Sequence, residues 1–439
     1  MKKILFNLKR RLKYKKRIRS SEYDLIKEVC SALEGLDRPC LSDCGDGFMQ
    51  ATFFGVNRES FESLGTVLGQ IGFVPYSQNQ MNDNPFACFV RDDQMVYAYY
   101  VCYSSQMRII AARGAKLPPL DVVGGEKICE PEFSFIGLEA GGGVCGLSCV
   151  LRLCDGTFII VDGGHDIDFD ADELVRVLDK LSVSGGDKIV IRAWFITHGH
   201  NDHYGALLNF SRRYKSSGKY VVEKFMINFC DAEEQHQYSR SGTFNLTLDC
   251  IEEYWKETDV YKPLTGQIYK FAGCDCEIFY CMSDFIPAVI GEECPDAEEE
   301  KVDGNIQSVA FMFKVCVQDI FITSDLAKVN IDEMCKRYGQ YMKSDIMTVP
   351  HHANDKDSYR ARNGTIEFYD LVDPETVLWP DRKVNYKKRL EWNGVPGANF
   401  ERNYYLVNCL HVKECIVSGD TTRFLPLPYH PANTCDSDK

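Results

Sequence analysis

The chain has 439 residues, 45% of them apolar and 12% aromatic, which suits a globular protein with a sizeable core and more than one domain. No apolar run reaches about 18 residues, so no transmembrane helix is expected, and the basic amino terminus lacks the apolar stretch and cleavage site of a secretory signal. Net charge is −14, yet the first 21 residues hold ten Lys or Arg and no acid, so the remaining body carries −24 and disfavours a nucleic-acid substrate.

In chain order, residues 1–21 form a basic tail, expected to be disordered, that either solubilises the chain or touches anionic lipid or RNA. Residues 22–113 form a small α+β accessory domain. Leu25, Ile26, Val29, Cys30 and Leu33 recur at helical spacing, and a second amphipathic stretch runs near Glu62–Ile71. Strand-like runs follow at 86–91 and 95–103, separated by Asp92-Asp93, with another at Arg108–Ala112. Residues 114–131, with Pro118, Pro119, Gly124 and Gly125, read as a linker. Strand and helix patterns then alternate from residue 132 towards the carboxyl end, as in layered α/β folds. The Gly-rich GLEAGGGVCG lacks the GK[ST] ending of a phosphate-cradling loop and is taken as a turn, near the site or away from it. The 20 cysteines are scattered, without CxxC pairs, and suit reduced core thiols of a cytoplasmic protein. Cys274 and Cys276 share one strand face, which by itself is weak evidence of a site.

The densest chemical signal is AWFITHGHNDHYGALLNF, residues 193–210. A buried strand is expected over Ala193–Thr197 and a helix from Asn201 or Asp202, which puts the histidines on a strand-to-helix loop where α/β sheets place their sites. His198, His200, Asp202 and His203 offer three imidazoles and a carboxylate, a set suited to Zn²⁺ or a similar ion. On a tight turn His198 and His200 serve one metal, Asp202 and His203 a second. The competing reading is a polar surface loop with incidental histidines. Three further segments end apolar runs with polar groups: FIIVDGG (158–164), DIFITSDL (319–326) and DIMTVPHHAND (345–355). Alone, VDGG also suits an ordinary turn and SD is unremarkable, whereas adjacent histidines after an apolar strand are rarely core residues.

The order of Asp162, HxHxDH, Asp325 and His351-His352 resembles the metallo-β-lactamase superfamily. That resemblance implies a four-layered αββα sandwich over residues 132–439. It also implies two divalent metal ions, Zn first and Mn as the alternative. In this reading Asp162 holds a ligand histidine by a hydrogen bond. Asp325 bridges the two ions with a hydroxide between them, and His352 is a ligand. Asp202 and His351 are the candidate catalytic residues, His351 by donating to a substrate oxygen. The Asn-x-x-Ser opening NIQSVAFMFKVCVQDIFITSD, with the later Pro-His-His, resembles a narrower branch. That branch includes the hydrolase domain of DNA-uptake channel proteins and the choline-phosphate esterases, and it implies hydrolysis of a phosphodiester or phosphoester. The alternatives are hydrolysis of another ester, thioester or lactam on the same metals, or a catalytically inactive binding protein.

One departure from the family stands out. Many members supply a further histidine some 20–25 residues before the bridging aspartate, and here no histidine occurs between His236 and His351. Asn305 is the positional replacement, whereas His236 suits a surface position. The acidic stretch 291–304 runs into Asn305 and either rims the site, favouring a small substrate, or is a solvated insertion. His165 either reaches the cleft or faces solvent. His411 and His430 are given no role.

Overall fold

The computed structural model describes residues 23–33, 35–139, 146–183, 188–229, 245–284, 304–353, 364–391, 399–419 and 421–431. The basic tail expected over 1–21 lies outside them. No helix among the described residues is long and apolar enough to cross a membrane. The chain divides into two compact units, with the boundary of their main bodies between Ala115 and Lys116.

The first unit is a six-stranded antiparallel sheet with helices on one face. Its strands run in the order Cys40–Asp43, Met49–Phe53, Gln106–Arg113, Gln94–Val101, Asn84–Arg91 and Val74–Met81. Alternation builds its core: Ala87 and Phe89, Val96 and Ala98, and Ile109 and Ala111 all point to the face that meets Leu25, Ile26, Val29, Leu64 and Leu68. Asn82 and Asp92 turn the two tightest hairpins with φ of 52° and 53°, a region that asparagine and aspartate tolerate best after glycine.

The second unit is a two-sheet sandwich with helices outside. The first sheet runs Asp259–Tyr261, Lys224–Ile227, Ile189–Ile196, Phe158–Asp162, Ser148–Arg152, Glu132–Phe135 and Arg423–Pro426, with Tyr220–Val222 also paired to Ile189–Ile196. The second runs Ile268–Phe271, Cys274–Tyr280, Ala310–Val315, Gln318–Ile322, Ile346–Thr348, Thr376–Trp379 and Glu414–Val417. Side chains of alternate parity divide the layers. Ile159, Val161, Ala193 and Phe195 meet Ile278, Phe311, Phe313, Ile320 and Ile322 between the sheets. Ile160, Trp194 and Ile196 turn outward onto Leu174, Leu178, Tyr204 and Leu207 of the helices Asp168–Leu181 and Asn201–Tyr214. On the far side, Phe279 and Phe321 face Tyr338 and Phe368 from other helices. The layering is αββα, as expected.

The segment expected to be a linker is bonded to this second unit over part of its length. Val123 bridges Phe271, and Ile128 and Cys129 both donate their N–H to the carbonyl of Cys154.

Two groups of parallel neighbours position the site. Phe158–Asp162 and Ile189–Ile196 run parallel in the first sheet. Gln318–Ile322, Ile346–Thr348 and Thr376–Trp379 run parallel in the second. Parallel neighbours release their following loops at the same sheet edge, so Asp162 and His198 emerge together, as do Asp325 and His351-His352.

Candidate metal centre

The HxHxDH residues fall where a strand becomes a helix. Ile189–Ile196 ends two residues before His198, and His200 is the N-cap of Asn201–Tyr214. Gly205 lets that helix press against the loop after Phe158–Asp162. A Cβ there would lie 2.2 Å from the Asp166 nitrogen. Ala206 N–H donates to Gly164 O across the same contact (3.2 Å). Gly146, at the end of the Gly-rich stretch, abuts the Asp202 carbonyl at 1.8 Å for a built Cβ, so this end of the stretch borders the site.

Asp162 closes its strand with φ 54° and is fully buried. Its Oδ1 accepts from the Thr197 N–H (2.8 Å), and its Oδ2 accepts from Thr197 Oγ1 and from His203 Nδ1, each at 2.7 Å. A carboxylate can only accept, so His203 Nδ1 carries a proton and Nε2 faces the cluster. His352 is set the same way, its Nδ1 donating to the carbonyl of Pro380 (2.7 Å). His351, His352 and Ala353 all have left-handed backbones, with φ of 48°, 53° and 53°. The His351 N–H bonds to the Ser324 carbonyl, and Arg389 Nη1 donates to the His352 carbonyl (2.6 Å), which pins this run.

Asp202, His203, Asp325 and His352 form one group and His198, His200 and Asp325 another. Within each group the ligand atoms lie within 4.8 Å of one another, and each group could hold a metal ion. His203 Nε2 is 3.3 Å from Asp325 Oδ1, and His352 Nε2 is 3.4 Å from both Asp325 Oδ2 and Asp202 Oδ2. Neither buried Nε2 makes a hydrogen bond among the described residues. Two donors on one tetrahedral ion with bonds of about 2.0–2.1 Å lie about 3.3 Å apart, so these separations fit ligands converging on a shared ion. His198 Nε2 and His200 Nδ1, 3.0 Å apart, approach the same spacing.

Electrostatics divide the histidines. Burial, reinforced by the charges of His203 and His200, holds His198 well below the usual imidazole range, so it stands neutral and ready to ligate. Burial also opposes charge on His203 and His352, but the carboxylates win. Asp325, Asp162 and Asp202 raise His203 well above its ordinary value, and Asp325 with Asp202 raises His352 to about 10. Burial pushes the Asp202 and Asp325 carboxyls up, yet the facing His203 and His352 hold both low.

Other candidates are not among these imidazole and carboxylate donors. Asn305 is buried and its Nδ2 donates to His351 Nε2 (3.0 Å), which in turn lies 3.9 Å from Asp325 Oδ2. Asn305 therefore borders the Asp325 side of the centre. His165 neither faces solvent nor joins the cluster: it is buried, with Nδ1 3.5 Å from Asp170. His411 is exposed beside Asp373. His236 and residues 291–303 lie outside the described residues. Sequence reasoning missed Thr197 and Ser324, whose hydroxyls bond at 2.6 Å and flank His198 Nδ1. Both stand beside quoted ligands, in THGH and TSD, and that adjacency is a usable signal.

The αββα layering together with this donor set defines a metallo-β-lactamase-type fold with a candidate metal centre. Residues 142–259, about a quarter of the chain, match the family model described as Metallo-beta-lactamase superfamily. No curated protein matches the sequence. Among solved structures, CmlA, a diiron β-hydroxylase from Streptomyces venezuelae, shares 12% identity over 69% of this chain and 55% of its own, with a TM-score of 0.37. This chain thus spans about half the length of the CmlA structures it matches. Zn²⁺-bound PqqB from Methylobacterium extorquens shares 13% over 56% of this chain and 88% of its own (TM-score 0.36). A Cronobacter sakazakii metallo-β-lactamase shares 14% over 56% and 91% (TM-score 0.31).

An Asp162→Asn variant is expected to bind metal about 10–100-fold more weakly, because the amide NH₂ must face either Thr197 or His203, which both need an acceptor. Chelator competition measures this. An unchanged affinity would show that His203 needs no orienting partner.

Proposed function

We propose that this protein is a metal-dependent hydrolase of phosphoesters, with Zn²⁺ or Mn²⁺ held by the two groups that share Asp325. The observation that carries the reading is the convergence of Asp202, His203, Asp325 and His352, with two buried Nε2 atoms aimed at two carboxylates. Divalent ions bound there supply Lewis acidity and make water nucleophilic near neutral pH. The chain's own groups do the rest. Asp162 and the Pro380 carbonyl hold the Nδ1 protons of His203 and His352, so each turns its Nε2 towards the ion and offers a lone pair there once the Nε2 proton has been expelled. Asp202, at 17% side-chain exposure against 4% for Asp325, is the carboxylate nearer the opening and accepts the hydrogen bond of the attacking water. His351, 14% exposed and held by Asn305, donates to the anionic oxygen of the substrate. The phosphoester class rests on the Asn305-x-x-Ser308, Asp325 and Pro350-His351-His352 resemblance. Asp325 is the third donor of the His198–His200 group, and Asn305, whose Nδ2 supports His351, is the candidate for a further, amide donor.

The test is metal analysis of the purified protein with hydrolysis of bis-p-nitrophenyl phosphate in added Mn²⁺ or Zn²⁺. One to two transition-metal ions per chain and metal-dependent release of nitrophenolate are expected. Less than one tightly bound ion with no turnover would leave the inactive binding protein as the better reading.

Metal uptake should be steeply pH-dependent. With His352 titrating near 10 and His203 also raised, both imidazoles carry protons in the metal-free centre at neutral pH. An ion must expel them, so affinity rises with pH, by about tenfold or more per unit between roughly pH 6 and 8. Calorimetry in buffers of different ionisation enthalpy reads the protons released. Release of none would contradict the charge pattern.

A further inference from the structure

We propose that Ser324 is a positioning residue for His198: together with Thr197 it carries the hold of Asp162 across to that imidazole, so that one buried carboxylate orients a histidine of each ligand group. The inference rests on the reading of the cluster as a metal centre and names what sets its His198–His200 half, whichever ester is cleaved.

Thr197 follows the strand Ile189–Ile196 of the first sheet, and Ser324 follows Gln318–Ile322 of the second. Both are buried, and their hydroxyls meet across the two sheets at 2.6 Å. Each hydroxyl has one proton to give. The Thr197 proton goes to Asp162 Oδ2 at 2.7 Å, because a carboxylate only accepts. The Ser324 proton then goes to Thr197 Oγ1, a far shorter contact than the 3.4 Å to Ser308 Oγ. Both oxygens are left with lone pairs beside His198 Nδ1, at 3.3 Å from Thr197 and 3.4 Å from Ser324. Nδ1 is therefore the donor, and Nε2 faces His200 Nδ1 at 3.0 Å and Asp325 Oδ2 at 3.8 Å. Asp162 reaches His203 Nδ1 in one step, and it reaches His198 through the two hydroxyls.

The backbone makes the serine informative. Ser324 stands at φ 48°, and its carbonyl accepts from the His351 N–H at 3.0 Å, so the chain demands this left-handed turn whichever residue occupies it. Glycine takes such a turn freely, whereas any side chain strains it. What serine adds to the position is the hydroxyl, and that hydroxyl is spent on Thr197 and His198. The competing reading is that the two hydroxyls only satisfy one another between the sheets. The two readings part when the hydroxyl and the strain are removed together: the fold is then spared, and His198 loses its support.

The experiment loads the full-length protein with ¹¹³Cd²⁺ as the probe ion, follows it by NMR, and reads the stepwise affinities by chelator competition. The parent should show two resonances, one for each ligand group. In Ser324→Gly the melting temperature should hold, while one of the two ions binds about 10–100-fold more weakly and its resonance shifts or disappears. Thr197→Val should weaken the same ion, and Thr197→Ser, which keeps the hydroxyl, should retain the parent affinity. Asp162→Asn should weaken both ions. Two resonances at parent affinity in Ser324→Gly overturn the role, and so does a fall in both affinities together with the melting temperature. A parent protein that takes up no Cd²⁺ overturns the metal reading and this role with it. A parent that binds two ions yet hydrolyses no phosphoester overturns the hydrolase reading alone, and the affinities still decide the role of Ser324.

Discussion

Replacing Asp325 by asparagine is expected to lower kcat/KM on bis-p-nitrophenyl phosphate by about a thousandfold or more, with a loss of bound metal and little change in fold. No other residue belongs to both ligand groups. Its Oδ1 faces His203 at 3.3 Å, and its Oδ2 lies 3.4 Å from His352 and 3.8 Å from His198. An amide of the same shape keeps the packing but removes the charge that neutralises ions on either side, and one of its two atoms becomes a donor aimed at would-be ligands. Losing the carboxylate also removes the main influence that raises His352, so the pH dependence of residual metal binding should flatten. Metal content by mass spectrometry, steady-state rates and a melting curve separate the effects. Activity within tenfold of the parent would remove Asp325 from the centre.

The largest expected effect on stability lies elsewhere in the same unit. Arg337, on the helix Lys328–Tyr338, and Asp284 pair at 2.6 Å with side chains 1% and 0% exposed. Asp284 also accepts from Thr265 Oγ1 and, at 3.2 Å, from the Cys281 N–H. Arg337→Met strips the guanidinium from a carboxylate with no route to bulk water and should cost about 3–5 kcal/mol in urea unfolding. The double variant Arg337→Met, Asp284→Asn should recover part of that cost, since neither charge then remains buried. In the single variant the stranded carboxyl titrates above its unfolded value. Its penalty is therefore full at high pH and relieved as pH falls through that raised value. A loss below about 1 kcal/mol would mean that the pair is compensated by its neighbours.

Much of the centre was legible because metal chemistry restricts residue types. Few purposes other than holding ions bring three imidazoles and a carboxylate together after a buried strand, so His198 to His203 stood out. Asp162, Asp325 and His352 were readable through strand ends in a fixed order. The Pro380 carbonyl and Arg389 were not. They reach His352 across 28 and 37 residues, and a carbonyl leaves no trace in side-chain identity. The three left-handed residues at His351–Ala353 were equally hidden, since neither glycine nor asparagine marks them. In the first unit, the edge strand Val74–Met81 escaped notice because its side chains are mostly exposed and polar, so no alternation marks it. Cys40–Asp43 and Met49–Phe53 are simply short.

The candidate ligands come from both sheets of the sandwich: His198, His200, Asp202 and His203 follow a strand of the first, and Asp325 and His352 follow strands of the second. An ion at this edge would therefore act as a cross-link, closing a loop of some 150 residues in the unfolded chain and clamping two layers that otherwise cohere mainly through their apolar faces. No fragment holding one sheet alone contains a complete ligand set. Metal affinity would then report on the docking of the two halves as much as on chemistry, and a chelator would loosen the sandwich at its open rim.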